Sequence, residues 1–131
     1  MHLELALLPE RFAICRLDPT SETPRWAEGG AFVSVTRTPR ELSVVCPAQN
    51  VPPGTACADE GWRCFQVAGP LDFSQVGVIA SLVAPLAAAR VSVFTIATYE
   101  TDYLLVQETH LEDAIDALTD AGHRLFNPER D

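Results

Sequence analysis

The sequence predicts an α+β protein in which residues 61–127 form a ferredoxin-like βαββαβ unit. Three observations carry this expectation. Trp62–Ala68 alternates, with Phe65 and Val67 on one face and Trp62, Cys64 and Gln66 on the other, the period of a half-buried strand. Val76, Ile79, Leu82, Val83 and Leu86 recur at helical spacing, as do Leu111, Ala114, Ile115 and Leu118. Between these helices, Val91–Thr98 and Tyr103–Gln107 are β-rich runs flanking the turn Glu100-Thr101-Asp102, which reads as a hairpin.

Taken in order, residues 1–60 hold short β-like runs separated by turn chemistry. Leu3–Leu8 and Phe12–Leu17 flank Pro9-Glu10-Arg11, a spacing that predicts a tight hairpin. Asp18–Gly30 reads as a loop, Phe32–Thr36 and Leu42–Cys46 as strands, and Pro47–Glu60 as a second loop. In the βαββαβ unit, Ser74 is placed to cap the first helix, and Pro85 is expected to bend it. Thr109 and Glu112 fit a capping box for the second helix, which stops at Gly122. His123–Phe126 supplies a final edge strand, and residues 128–131 are a polar tail. Both helices of such a unit cover one sheet face, here Phe65, Val67, Phe94, Ile96, Leu104 and Val106. Trp62, Cys64, Val91, Val93, Tyr103 and Leu105 then lie on the other, too apolar to stay wet. The β-rich first part or a partner subunit is expected to cover it.

Composition narrows the function. Eighteen acids against nine bases give a net charge of −9, which disfavours nucleic acid and anionic membrane as partners. The apolar stretch Val76–Ala89, broken by Ser81 and Pro85, is too short for a bilayer span. No secretory leader is evident at Met1-His2-Leu3-Glu4, so a cytoplasmic protein is expected. Cys15, Cys46, Cys57 and Cys64 have no metal-ligand spacing, and no cofactor or metal is called for. Three of them fall in strands as apolar core residues; Cys57, in a loop, is the one expected to be exposed.

The chemistry of the first loop of the unit, residues 69–74, removes several functions that this fold supports. It has no paired thiolates for a soft metal, and Asp72 would repel a phosphate. The charge balance opposes an RNA-binding sheet. No Gly-x-Ser-x-Gly elbow is present, and His2, His110 and His123 read as capping or surface residues, so no enzyme is expected. Binding is what remains. A helix N-terminus suits a carboxylate, and Asp72 and Asp102 offer counter-charge to an ammonium or guanidinium group. Together they have the parts for a zwitterionic amino acid. On chemistry alone the blander alternative is favoured, with Asp72 and Ser74 capping the helix and Asp102 making the turn.

A family resemblance shifts that balance. Gly69-Pro70-Leu71-Asp72-Phe73-Ser74, followed by Ile79-Ala80-Ser81-Leu82-Val83-Ala84-Pro85-Leu86-Ala87, resembles small ACT-domain proteins related to the regulatory region of aspartate kinases. The hairpin Phe94-Thr95-Ile96-Ala97-Thr98-Tyr99-Glu100-Thr101-Asp102-Tyr103-Leu104-Leu105-Val106 is similar to that family's hairpin signature. Trp62-Arg63-Cys64-Phe65, Leu42-Ser43-Val44-Val45-Cys46-Pro47 and Leu5–Ala13 are similar to it as well. The chain also resembles one half of the eukaryotic cytosolic arginine sensors. The resemblance implies two ACT-like halves, residues 1–60 being the degenerate one, and an amino acid bound at an interface between ACT units. It implies ligand contacts at Asp72, Ser74, Gly77, Val78, Thr98, Tyr99 and Asp102. A homodimer that signals to a separate protein partner is expected, since no kinase segment accompanies the unit. The alternative is a structural interaction module with a vestigial pocket.

Overall fold

The computed structural model of the chain describes residues 1–56, 58–68 and 76–126. Its elements are β1 (Glu4–Leu17), β2 (Ser34–Arg37), β3 (Leu42–Pro47), β4 (Ala58–Val67), α1 (Val78–Ala88), β5 (Phe94–Ala97), β6 (Asp102–Gln107), α2 (Leu111–Asp120) and β7 (Arg124–Phe126). They divide into two compact units, Met1–Leu8 with Arg63–Asp131, and Pro9–Trp62. The first eight residues thus belong with the βαββαβ segment.

In that unit the strands lie in the order β7–β1–β4–β6–β5, with α1 and α2 packed on one core. It is the α+β, ferredoxin-like arrangement that the sequence predicts. Leu5 of β1, Phe65 and Val67 of β4, and Leu104 and Val106 of β6 meet Val78, Leu82 and Leu86 of α1 and Ala114 and Leu118 of α2. The final edge strand joins the sheet through β1. β7 pairs in parallel with β1, from Glu4↔Arg124 to Ala6↔Phe126. The start of β1 therefore stands between β7 and β4. Its two sides are filled by bonds from Ala68 N–H to Glu4 O (2.8 Å) and from Arg124 N–H to Leu3 O (2.9 Å).

Both helices end in Schellman motifs, which explain two departures from expectation. After α1, Arg90 takes a left-handed φ of 63°, Arg90 N–H donates to Ala87 O, and Val91 N–H donates to Leu86 O. The motif turns Val91 inward, so it joins the helix-side core and Val93 packs against it, not on the opposite face. β5 accordingly starts at Phe94 instead of Val91. After α2, Gly122 (φ 98°) donates to Thr119 O and His123 N–H to Leu118 O. A Cβ at Gly122 would meet only the end of the exposed His2 side chain, which can move aside, so it is the positive φ that favours glycine here.

The helix starts also differ from expectation. α1 begins at Val78 with Gly77 at its N-cap, and Val76 is 83% exposed rather than core-facing; Ser74, expected to cap the helix, lies outside the described residues. α2 is preceded by a 3₁₀ turn, Glu108–His110, which moves its N-cap to His110; no side chain caps it, and the Thr109–Glu112 box does not form.

The second unit is built on β2–β3–β1. β1 and β3 pair antiparallel from Phe12↔Pro47 to Leu17↔Leu42, and β2 and β3 from Ser34↔Val45 to Arg37↔Leu42. The hairpin expected at Pro9-Glu10-Arg11 is absent, because β1 runs straight through it. Tight two-residue hairpins need φ > 0, and none of these three residues adopts it. Phe32 and Val33 precede β2 instead of opening it, and Phe32 packs edge-on against Phe12 with ring centres 6.0 Å apart.

Cys15, Cys46 and Cys64 are buried free thiols, as the strand reading requires; Cys57 lies outside the described residues. Burial pushes Cys64 up to about 12 and, with Cys15 nearby, Cys46 up to about 11. Burial, then the Glu60 carboxylate, raises Cys15. Unfolded thiols titrate near ~8.5, so burial of these neutral groups stabilises the fold fully below that pH. The contribution is lost as pH climbs toward 11 and 12. In a Cys57→Ser chain, an aromatic disulfide reagent at pH 8 should leave the native protein unlabelled and label all three remaining thiols in denaturant. Rapid labelling of the native chain would contradict this burial.

Candidate functional site

Five of the seven site residues read from the sequence are described, all in the first unit; Asp72 and Ser74 lie outside the described residues. Gly77 and Val78 start α1. Gly77 adopts φ 84°, ψ 3°, a left-handed conformation that a side chain would disfavour. Its carbonyl accepts the first helical bond, from Ser81 N–H at 2.9 Å, and open space surrounds the position of a Cβ. Among the described residues no side chain caps this N-terminus, whose first N–H groups carry the positive end of the helix dipole.

Thr98, Tyr99 and Asp102 lie on the β5–β6 hairpin, whose register runs from Phe94↔Leu105 to Ala97↔Asp102. The turn is held by a reciprocal threonine pair. Thr98 N–H and Thr98 Oγ1 both donate to Thr101 O at 2.9 Å, and Thr101 N–H donates to Thr98 Oγ1 at 3.3 Å. The Thr98 hydroxyl is therefore committed to the turn. Tyr99 is 83% exposed at the tip, and Asp102 opens β6, half-buried, with no carboxylate partner among the described residues.

Sequence reasoning passed over Thr101. Its side chain is 4% exposed, and its hydroxyl donates to Val67 O at 2.7 Å. That bond ties the hairpin turn to the last residue of β4, the strand that leads toward α1. The only sequence signal is a threonine inside a turn, a position where hydroxyls commonly bond to nearby backbone. The same sheet carries Tyr103, whose phenol is raised by burial, then by the Cys64 thiol and the Glu100 carboxylate.

His123 also departs from expectation. It is 4% exposed rather than at the surface, because the Schellman motif after α2 folds it inward. Leu3 N–H donates to its Nδ1 at 3.1 Å, which leaves the ring proton on Nε2 to donate to Ser81 O at 2.9 Å. Ser81 O is the carbonyl that a helical N–H at position 85 would have satisfied, and Pro85 has none. The imidazole thus supplies the bond the proline removes, inside the helix that carries Gly77 and Val78. In the second unit, a groove of about 510 Å³ is lined by Pro9, Glu10, Arg11, Ala48, Gln49 and Glu60, none of them a predicted site residue. Among the described residues, no three His, Cys, Asp or Glu side chains converge as a metal ion requires.

The helix start at Gly77 and the hairpin with its tied turn belong to one unit of this fold. Residues 58–120 match the family model of the ACT domain, so this segment of the chain is an ACT domain. Residues 10–54 match a separate family model described as an N-terminal domain.

The relatives are more particular. The crystal structure of Atu0741 from Agobacterium tumefaciens is 38% identical with a TM-score of 0.91, over 97% of this chain and 94% of that one. The cytosolic arginine sensor for mTORC1 subunit 1 of Rattus norvegicus is 38% identical over 65 residues, 49% of this chain. The match covers 20% of that relative's length. The ligand-free regulatory subunit of aspartate kinase from Thermus thermophilus shares the fold, at 16% identity and a TM-score of 0.62 over 89% of this chain and 96% of that one.

Proposed function

We propose that the chain is an amino-acid-binding regulatory protein of the ACT type, a sensor and not an enzyme. One observation carries the reading: the ACT-domain match spans both the helix start at Gly77–Val78 and the hairpin at Thr98–Asp102. In this reading the ligand carboxylate lies at the N–H groups that open α1, where the dipole favours negative charge. Its ammonium group meets the Asp102 carboxylate, with Asp72 and Ser74 contributing from the loop and Tyr99 forming a wall. Residues 1–60 serve as a degenerate ACT-like half that lends its first eight residues to the ACT domain at 61–127. The ligand sits where ACT units meet, here between two copies of the chain, and favours one arrangement of the pair, which a separate cytoplasmic partner reads. Such a shift can be no larger than the ligand's difference in affinity for the two arrangements.

The names of relatives, a cytosolic arginine sensor and a regulatory subunit of aspartate kinase, support a free amino acid as the ligand class. A thermal-shift screen against the twenty protein amino acids tests it. At least one, with arginine the first to try, should raise the melting temperature progressively with concentration, as ligand binding to the folded state requires. No shift from any of them up to millimolar concentration would leave a structural module with a vestigial pocket.

A further inference from the structure

We propose that Thr101 is the positioning residue of this site: a buried hydroxyl, out of the ligand's reach, that sets the affinity by holding the hairpin tip. The inference rests on the amino-acid-binding reading above and adds how that site is held in shape. Thr101 sits between two residues that face the ligand differently, Tyr99 at the exposed tip and Asp102 at the start of β6. Its own side chain turns away from both, into the unit, and gives its proton to Val67 O at 2.7 Å. Its main chain is clamped from the other side, since its carbonyl takes two bonds from Thr98 and its N–H gives one back. The four-residue turn therefore has one fixed orientation relative to the end of β4.

That end is itself pinned. Ala68 N–H donates to Glu4 O at 2.8 Å, so the last turn of chain before the loop is held on the sheet. A two-part site needs both parts at a fixed separation. One part is the start of α1, whose Val78 lies in the same core as Val67; the other is the tip that Thr101 fastens to Val67. Without the hydroxyl, Val67 O loses its partner, and the tip is left hinged on β5 and β6 alone. Ordering the tip would then fall to the ligand, which weakens binding. A valine has the same shape as threonine but no proton to give, and a serine keeps the proton and loses only a methyl group. The pair separates positioning from packing.

The experiment uses the full chain as wild type, Thr101→Val and Thr101→Ser, with two readouts. Calorimetric titration uses whichever of the twenty amino acids stabilises the wild type most. Amide hydrogen exchange is measured on the free proteins. Thr101→Val should keep core protection at Phe65 and Leu104, lose protection at Thr98 and Thr101, and bind roughly tenfold more weakly, the scale of one lost buried hydrogen bond. Thr101→Ser should restore both. Equal affinity in the valine variant, or a serine variant that binds no better than valine, overturns the proposal. If the valine chain does not fold, the serine variant decides, because it must bind as the wild type does. If the wild type binds no amino acid, the sensor reading fails by itself. The exchange data still judge the latch, which unchanged protection at Thr98 in the valine chain would refute.

Discussion

Replacing His123 by alanine should destabilise the first unit by about 2 kcal/mol, measured by denaturant unfolding, because it orphans two part-buried backbone groups. The residue is 4% exposed and joins three elements: the start of β1 through Leu3, the middle of α1 through Ser81, and the end of α2 through its own N–H. Alanine leaves Leu3 N–H without an acceptor and Ser81 O without a donor; a fully buried orphan costs roughly 1–3 kcal/mol, and these part-buried groups fall at the low end. The cause can be isolated by a second change. Pro85→Ala returns an N–H to position 85, which can donate to Ser81 O within the helix. The loss from His123→Ala should then fall by about 1 kcal/mol in the Pro85→Ala background, a coupling that double-mutant cycles resolve. Strictly additive effects would mean that the imidazole does not stand in for the missing helical bond.

Asp102→Ala should weaken amino-acid binding by about 10- to 100-fold, the worth of one charge-assisted hydrogen bond, as read by calorimetric titration. Stability should change little. The carboxylate is half-buried, pairs with none of the described residues, and lies outside the core formed by Phe65, Val67, Leu104 and Val106. A folded variant that binds as tightly as the wild type would remove Asp102 from the site. A variant that fails to fold would assign it to the turn, the blander role that residue chemistry alone favours.

The strands and helices of the βαββαβ segment are legible because their periods are strong. Phe65 and Val67 alternate, Leu82 and Leu86 stack at helical spacing, and both pairs lie in one core. What escapes the sequence are features set by a few backbone angles or by distant partners. Arg90 in a left-handed conformation cannot be anticipated from a residue type that seldom adopts it, yet it decides where Val91 points and where β5 starts. Pro9-Glu10-Arg11 looks like punctuation but lacks the positive φ of a tight turn, so β1 continues. The parallel pairing of β7 with β1 joins the two ends of the chain, Glu4 to Arg124, beyond any local signal.

The candidate site divides in the same way. Gly77 and the hairpin can be found because turn glycines and hairpins leave local traces. Thr101 and His123 cannot, because each bonds to a main-chain atom far along the chain: Val67 O for one, Leu3 N–H and Ser81 O for the other. Threonine in a turn and histidine after a glycine look ordinary until the fold supplies their partners. Pro85 reads from the sequence as an interruption of α1. That its orphaned carbonyl would be met by His123 requires the Schellman turn at Gly122 to aim the ring.

In the proposed sensor, a free amino acid binds between the start of α1 and the β5–β6 hairpin. The most direct test is an amide chemical-shift titration of the labelled full chain with the amino acid that stabilises it most. Saturable shifts should centre on Gly77, Val78, Thr98, Tyr99 and Asp102 and be absent in the Asp102→Ala chain. Shifts confined to the groove at Glu10, Arg11, Gln49 and Glu60, or none at any of these residues, would contradict it.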